Sequence, residues 1–135
     1  MVFKQDTRTR DWKTQVVIHG KPVKLTIDGL HSPSEHQRLA ASAITRVEDT
    51  WGVIEQNILR SLHPLYNKAW ADPERGFPPL NAEEFLKRIE LESVWVLDEE
   101  RALSLYFRDS DLFGGHSIHI FWNSDGKMYD AGLEG

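Results

Sequence analysis

The sequence contains no cysteine, and this absence excludes several classes of chemistry. Without thiols the chain can form neither a disulfide framework nor a thiolate metal site, and it offers no cysteine nucleophile. The absence is compatible with a reducing compartment. Motifs for common enzyme classes are missing too, because there is no nucleophile elbow, phosphate-binding loop or dinucleotide fingerprint.

Long apolar segments are also absent. No apolar run approaches the roughly 18 residues of a transmembrane helix, and the first residues, MVFKQDTRTRDWK, include charges but no signal-peptide core. We therefore expect a cytoplasmic protein that makes no membrane contact.

Its 135 residues match the commonest size of one domain, so we predict a single domain over residues 1–135.

Charge is unevenly distributed along the chain, whose formal net charge is -5. Residues 1–24 carry a net +4 and the remainder carries -9, with much of the acid between Glu83 and Asp111. An acidic surface argues against general nucleic-acid binding, which uses clustered lysine and arginine, and is compatible with a basic protein partner. Solubility alone would explain the same charge.

Alternation of apolar and polar residues predicts strands near both ends of the chain. The predicted strands cover residues 12–18, 23–27, 91–97, 103–107, 118–122 and 128–133. The first two form a hairpin, and the last four form an antiparallel meander. Residues 1–10 have little to bury and predict either a frayed start or a short edge strand.

Helix signals occupy the middle of the chain. Ser32 as cap, Pro33 as first helical residue and Glu35 three positions after the cap predict a helix start. The apolar stripe that follows, at helical spacing, comprises Leu39, Ala43, Val47, Trp51, Ile54, Ile58, Leu62 and Leu65. A straight helix over residues 33–62 would be about 45 Å long, which exceeds the width of such a domain. We therefore predict a bend, at Gly52 or preferably at Pro64.

A second, shorter helix is predicted to end near Ile89. Asn81 and Glu84 have the spacing of a capping box, and Leu80 with Phe85 has that of a hydrophobic staple. The order of elements indicates an α+β fold. Its antiparallel sheet consists of the N-terminal hairpin plus a C-terminal four-stranded meander, packed against one long, bent helix and a short helix.

The densest group of candidate site residues lies in the connection RDSDLFGGH. Asp109, Asp111 and His116 could form an acid/base group, because a carboxylate beside a histidine sets its tautomer and pKa. The alternative is turn chemistry, in which the carboxylates cap backbone N–H groups and His116 bonds the backbone. Gly114 and Gly115 would then supply positive φ angles. With no catalytic motif nearby, we favour the structural role.

The next turn, Asn123 to Gly126, is a tight one. Asp125 and Gly126 are assigned structural roles there, with the glycine in the left-handed position.

Metal binding is not predicted. His116 and His119 are three apart and would point to opposite faces of a strand, whereas two ligands on one strand need a spacing of two. Asp109-Ser110-Asp111 resembles the start of a calcium loop, but Phe113 and Ile120 occupy positions that require oxygen ligands. We predict neither a metal nor a cofactor.

The last thirty or so residues resemble a group of uncharacterised bacterial domains, as do the first hairpin and the long helix. Those domains share an aspartate, Leu-Phe, a small or aromatic residue, Gly-His, a strand, Asp-Gly and a closing Leu-x-Gly. The matching positions are Asp111, Leu112, Phe113, Gly114, Gly115, His116, Asp125, Gly126, Leu133 and Gly135. The resemblance implies an α+β fold and no enzyme activity. Some members look like immunity proteins that lie beside secreted bacterial toxins.

Two functional hypotheses follow. The first is a non-catalytic interaction protein, such as an immunity protein that neutralises a basic toxin domain through an acidic sheet face. Its predicted contact residues are Asp109, Asp111, Phe113, Glu99 and Glu100. The second is a small-ligand-binding domain or an enzyme with its site at the Asp109, Asp111 and His116 turn. The sequence leaves the oligomeric state open.

Overall fold

A single sheet organises the chain in the computed structural model, which describes residues 1–29, 32–97 and 102–135. Its strands are β1 (Lys4–Gln5), β2 (Trp12–Ile18), β3 (Lys21–Ile27), β4 (Glu90–Val96), β5 (Leu103–Arg108), β6 (Ser117–Trp122) and β7 (Gly132–Glu134). The α-helices of the described residues are α1 (His36–Asp49), α2 (Trp51–Leu65) and α3 (Ala82–Arg88). This arrangement confirms the mixed α+β class.

The strands lie side by side in sequence order, β1 to β7. All neighbours are antiparallel except β3 and β4, which pair in parallel with Leu25 opposite Val94. A parallel pair requires a long crossover connection, and the segment that contains the three helices provides it. The N-terminal hairpin and the C-terminal meander therefore belong to one continuous sheet.

The sheet is larger than the predicted hairpin plus four-stranded meander. The additional strand is β1, in which Lys4 lies opposite Lys13 and Gln5 opposite Trp12. It is two residues long and sits at one edge. Of the two alternatives for residues 1–10, the short edge strand is therefore correct.

The predicted long helix is two helices, so the helix count was wrong. The break is at Thr50, where φ is -108° and ψ is 11°. Thr50 N still donates to Arg46 O, and Ile54 N donates to Thr50 O, so Thr50 is hydrogen-bonded to both helices at the break. The preferred bend site, Pro64, lies inside α2, which continues into a π-helical turn at Tyr66–Trp70. In this wider turn Ala71 N donates to Tyr66 O, an i to i+5 bond.

The core lies between the helices and one face of the sheet. Of the predicted stripe, Leu39, Ala43, Val47, Ile54, Ile58 and Leu62 are buried. Leu65 is 39% exposed. Trp51, the member of the stripe that begins α2, was expected in the core with the others but is only half-buried.

Helix α3 begins as the sequence predicted. Asn81 Oδ1 accepts from Glu84 N at 2.8 Å, and Glu84 Oε1 accepts from Asn81 N at 3.0 Å, which completes the capping box. Leu80 and Phe85, the staple residues, are both buried. This anchored helix forms one wall of the cleft considered below.

The second face of the sheet points away from the core. Its side chains alternate with core residues such as Leu105 and Ile120. We call this surface the open face and define it by Trp95, Ser104, Tyr106, His119, Phe121 and Glu134. It is not an acidic face, because it also carries Lys13, Lys24 and Arg108.

No helix among the described residues has the length and apolarity needed to cross a bilayer.

Candidate functional site

The carboxylate of Asp109 holds the predicted site loop together from inside. It accepts from the backbone N–H groups of Asp111 at 3.0 Å, Phe113 at 2.9 Å and Gly115 at 3.1 Å. Asp109 is only 4% exposed. Both carboxylate oxygens are therefore used by the loop, and the assignment of Asp109 to a partner-binding surface is wrong.

Phe113 is also unavailable to a partner, because it is fully buried. Its ring makes edge contacts with Tyr66, Trp70 and Phe85 at centroid distances of 5.9, 5.7 and 6.1 Å. An aromatic residue at the centre of such a cluster packs the loop onto the helices. Asp111 is the one predicted contact residue of this loop that is exposed.

The end of the loop is built from left-handed residues. Gly114 and Gly115 have φ angles of 71° and 85°, as predicted for at least one of them. His116 Nδ1 forms its hydrogen bond with the backbone oxygen of Phe113, and Trp70 packs against the imidazole. The hydrogen bonds of Asp109 and His116 thus go to the backbone, and an acid/base group here has no support.

The next turn depends on Asn123 more than on Asp125. Asn123 Oδ1 accepts from Asp125 N at 3.0 Å and from Lys127 N at 2.9 Å. Gly126 has a φ of 87°, whereas Asp125 is exposed. Glu99 and Glu100, the remaining predicted contacts, lie outside the described residues. Among the described residues, no three His, Asp or Glu side chains are grouped to hold a metal ion.

A cleft of about 270 Å³ lies away from this loop, between the β2–β3 turn, α2, α3 and the start of β4. Its floor is apolar and consists of Ile18, Val23, Ile54, Ile58, Leu91 and Phe107. All six are buried core residues. The cleft is therefore an opening onto the core itself.

One wall of the cleft is the tight turn His19-Gly20. Both residues have positive φ, 53° and 78°, the backbone pattern of a two-residue type I′ turn. Non-glycine residues are uncommon at positive φ, and histidine is among those that adopt it most readily. His19 N donates to Glu48 Oε2 at 3.2 Å, and its ring lies 4.7 Å from that of Trp51. The turn is thereby fixed against the beginning of α2.

Two half-buried glutamates, Glu55 and Glu90, line the cleft. Glu90 lies opposite Arg108 in the strand register, so its side chain shares the open face with that arginine, and Glu55 is the carboxylate on the core side, beside the apolar floor. Neither forms an ion pair or hydrogen bond with another side chain in the described part of the chain. Two lysines also line the cleft; Lys87 pairs with Glu83 at 3.3 Å, and Lys21 is exposed. A carboxylate beside an apolar floor favours a ligand group with an apolar stem and a cationic end.

Sequence reasoning missed this cleft because its parts come from distant segments. The only local signals were the His19-Gly20 pair in a hairpin turn and a glutamate, Glu55, directly beside the apolar stripe. Neither signal identifies a site until α3 and β4 are placed next to α2.

Comparison with known proteins gives one match. No curated protein and no solved structure matches the chain. A family model described as "Uncharacterized protein conserved in bacteria (DUF2262)" matches residues 2–133. Since the match covers nearly the whole chain, the protein belongs to this family of uncharacterised bacterial proteins.

Proposed function

We propose that the chain is an interaction protein for a basic partner protein, and that the cleft receives an arginine or lysine side chain of that partner. The observation that supports this proposal is Glu55, half-buried beside an apolar floor and without an ion-pair partner among the described residues. A cation supplied by another protein would complete it.

The physical argument rests on the two parts of a basic side chain. The methylene stem of arginine or lysine contacts apolar surface while its charged end remains at the polar rim. A hydrogen bond to a charged group contributes about 1.5–3 kcal/mol. The cleft volume of about 270 Å³ is below the range of roughly 300–1,000 Å³ that is usual for drug-sized ligands. A single side chain suits it better than a whole cofactor.

The net charge of -5 supports a basic partner in general, because it accelerates encounter with a positively charged surface. An immunity protein that neutralises a basic toxin domain is the form of this function that charge and sequence resemblance favour. The contact surface in this proposal differs from the one predicted from sequence. It is centred on Glu55 instead of Asp109 and Phe113.

A photo-crosslinking experiment in the source cell tests the proposal. A benzophenone amino acid replaces Lys21, an exposed residue at the cleft, and the control variant carries it at Gln56, which is exposed on α2 outside the cleft. We expect an adduct from position 21 alone, located by mass spectrometry beside an arginine or lysine of a basic protein. The adduct should disappear when Glu55→Gln and Glu90→Gln are added.

Two outcomes would count against the proposal. One is equal crosslinking from positions 21 and 56. The other is an adduct that survives both glutamine substitutions, since binding would then not depend on the carboxylates.

A further inference from the structure

Three polar side chains on neighbouring strands form a continuous hydrogen-bonded relay on the open face. Ser104 in β5 lies 3.0 Å from His119 in β6, measured from Oγ to Nε2. The other ring nitrogen, Nδ1, lies 3.0 Å from Oε1 of Glu134 in β7. The antiparallel register brings them together, because Phe121 faces Ser104 and Ser117 faces Glu134, which places His119 diagonally between them.

The relay has the order of donors and acceptors that a nucleophilic serine requires. When Glu134 is ionised it accepts the Nδ1 proton of His119, so Nε2 is left to accept the Ser104 hydroxyl proton. The imidazole is also fixed from the side, because it stacks on Tyr106 at 4.7 Å with 18° between the ring planes. Orientation of the base is therefore set by two independent contacts.

Tyr106 places a phenol beside the same serine. Burial raises the pKa of Tyr106 and the Glu134 carboxylate raises it further, which outweighs the lowering by the nearby Ser104 hydroxyl. Its phenol therefore keeps its proton at neutral pH and can donate a hydrogen bond. A tyrosine O–H is one of the groups that stabilise an oxyanion.

We propose that Ser104 and His119 are catalytic residues for the hydrolysis of esters that carry a planar aromatic group, with Glu134 as a positioning residue. The aromatic preference follows from the surroundings, since Trp95 and Phe121 also lie on the open face and Trp95 makes an edge contact with Tyr106 at 6.4 Å. Flat rings stack against such side chains.

The reaction is acyl transfer to serine and then to water. His119 Nε2 takes the hydroxyl proton while Ser104 Oγ attacks the carbonyl carbon, and the carbonyl oxygen becomes the oxyanion. When the intermediate collapses, the bond to the leaving alcohol breaks and that alcohol takes the proton from Nε2. Water then attacks the acyl-serine by the same route, which releases the carboxylic acid and restores Ser104.

This site is separate from the cleft, because Ser104, His119 and Glu134 do not line the cleft. The two proposals can therefore fail independently. Cleft variants at Glu55 and Glu90 should leave the relay reactive, and relay variants should leave crosslinking from the cleft unchanged.

Covalent labelling of the full chain with a small fluorophosphonate tests the relay, since Ser104 is only 6% exposed and a small probe is needed. We expect one adduct, mapped to Ser104, together with hydrolysis of phenyl acetate. His119→Gln retains a hydrogen-bonding partner for Ser104 but is no longer a base, and should lower the labelling rate about 100-fold or more. Glu134→Gln should lower it about tenfold or more, with partial recovery in Glu134→Asp.

Ser117→Ala is the matched control, because Ser117 is an exposed serine on the open face, in the strand that carries His119. It should label at the wild-type rate. Thermal melts of every variant show whether the sheet is intact. Absence of labelling at Ser104 in the folded wild-type chain would overturn the proposal, as would an unchanged rate in folded His119→Gln, because a purely structural network predicts both results.

Discussion

Removal of the Asp109 carboxylate should destabilise the chain far more than removal of the Asp111 carboxylate. Three backbone N–H groups donate to this carboxylate at 2.9–3.1 Å, and the residue is 4% exposed. Hydrogen bonds to a charged group contribute about 1.5–3 kcal/mol each, and bonds that share one acceptor are not additive. We therefore expect Asp109→Ala to lower the free energy of unfolding by about 3–5 kcal/mol.

Asp109→Asn keeps one oxygen of the carboxylate and replaces the other with an NH2 group. Oδ2 accepts from Phe113 N and Gly115 N, so an amide nitrogen in its place would face two donors, and we expect a loss of about 2–4 kcal/mol. The control is Asp111→Asn. That side chain is exposed, and asparagine tolerates its φ of 65°. We expect a change within about 0.5 kcal/mol.

Urea denaturation measures both variants, with the free energy compared at an unchanged slope. Equal midpoints for Asp109→Asn and Asp111→Asn would refute the internal role of the carboxylate. If the role is correct, charge reversal at Asp109 reports on loop stability and cannot be used to test partner contact.

Three further predictions concern packing and backbone, each measured as the change in free energy of unfolding in urea. Asn57→Ala should cost about 2–4 kcal/mol, because this 3% exposed amide bonds two backbone groups between β6 and β7, whereas Gln56→Ala on the exposed side should stay within about 0.5 kcal/mol. Gly115→Ala should cost about 1–2 kcal/mol, since an L side chain is strained at a φ of 85°; a neutral result would contradict the left-handed assignment. Trp51→Ala should lower the free energy of unfolding by about 1.5–3 kcal/mol, less than the roughly 3–5 kcal/mol expected for a fully buried tryptophan. A loss above about 3 kcal/mol would show that Trp51 is a core residue after all.

Local signals in the sequence predicted the elements well. The capping box depends on Asn81 and Glu84, which are three residues apart. The stripe from Leu39 to Leu62 depends on the helical repeat. Residues close together in the sequence therefore suffice to predict both features. The alternation in residues 103–107 and 118–122 predicted β5 and β6 for the same reason.

Features that depend on distant contacts could not be predicted in this way. The bend was predicted at Gly52 or preferably at Pro64, because glycine and proline signals are local, whereas the break lies at Thr50, where two helices cover one sheet. Parallel pairing of β3 with β4 joins segments more than sixty residues apart. Polarity alone suggested that Asp109 is exposed, but three backbone donors solvate it inside the loop.

The candidate sites belong to this second group. Ser104, His119 and Glu134 are widely separated in the sequence and meet only through the strand register. Glu55 comes to lie beside the apolar floor only after α2 and β4 are packed against the same hairpin.

The most direct measurement of the cleft hypothesis is an NMR titration of the ¹⁵N-labelled chain with two small probes of similar length and opposite charge. Butylguanidinium mimics an arginine side chain, and pentanoate has a comparable stem with a carboxylate. We predict that butylguanidinium shifts the Trp51 indole and the His19 amide, that the shifts disappear in the Glu55→Gln/Glu90→Gln variant, and that they persist in Glu83→Gln. Equal or tighter binding of pentanoate, or butylguanidinium shifts that survive loss of both carboxylates, would contradict the account.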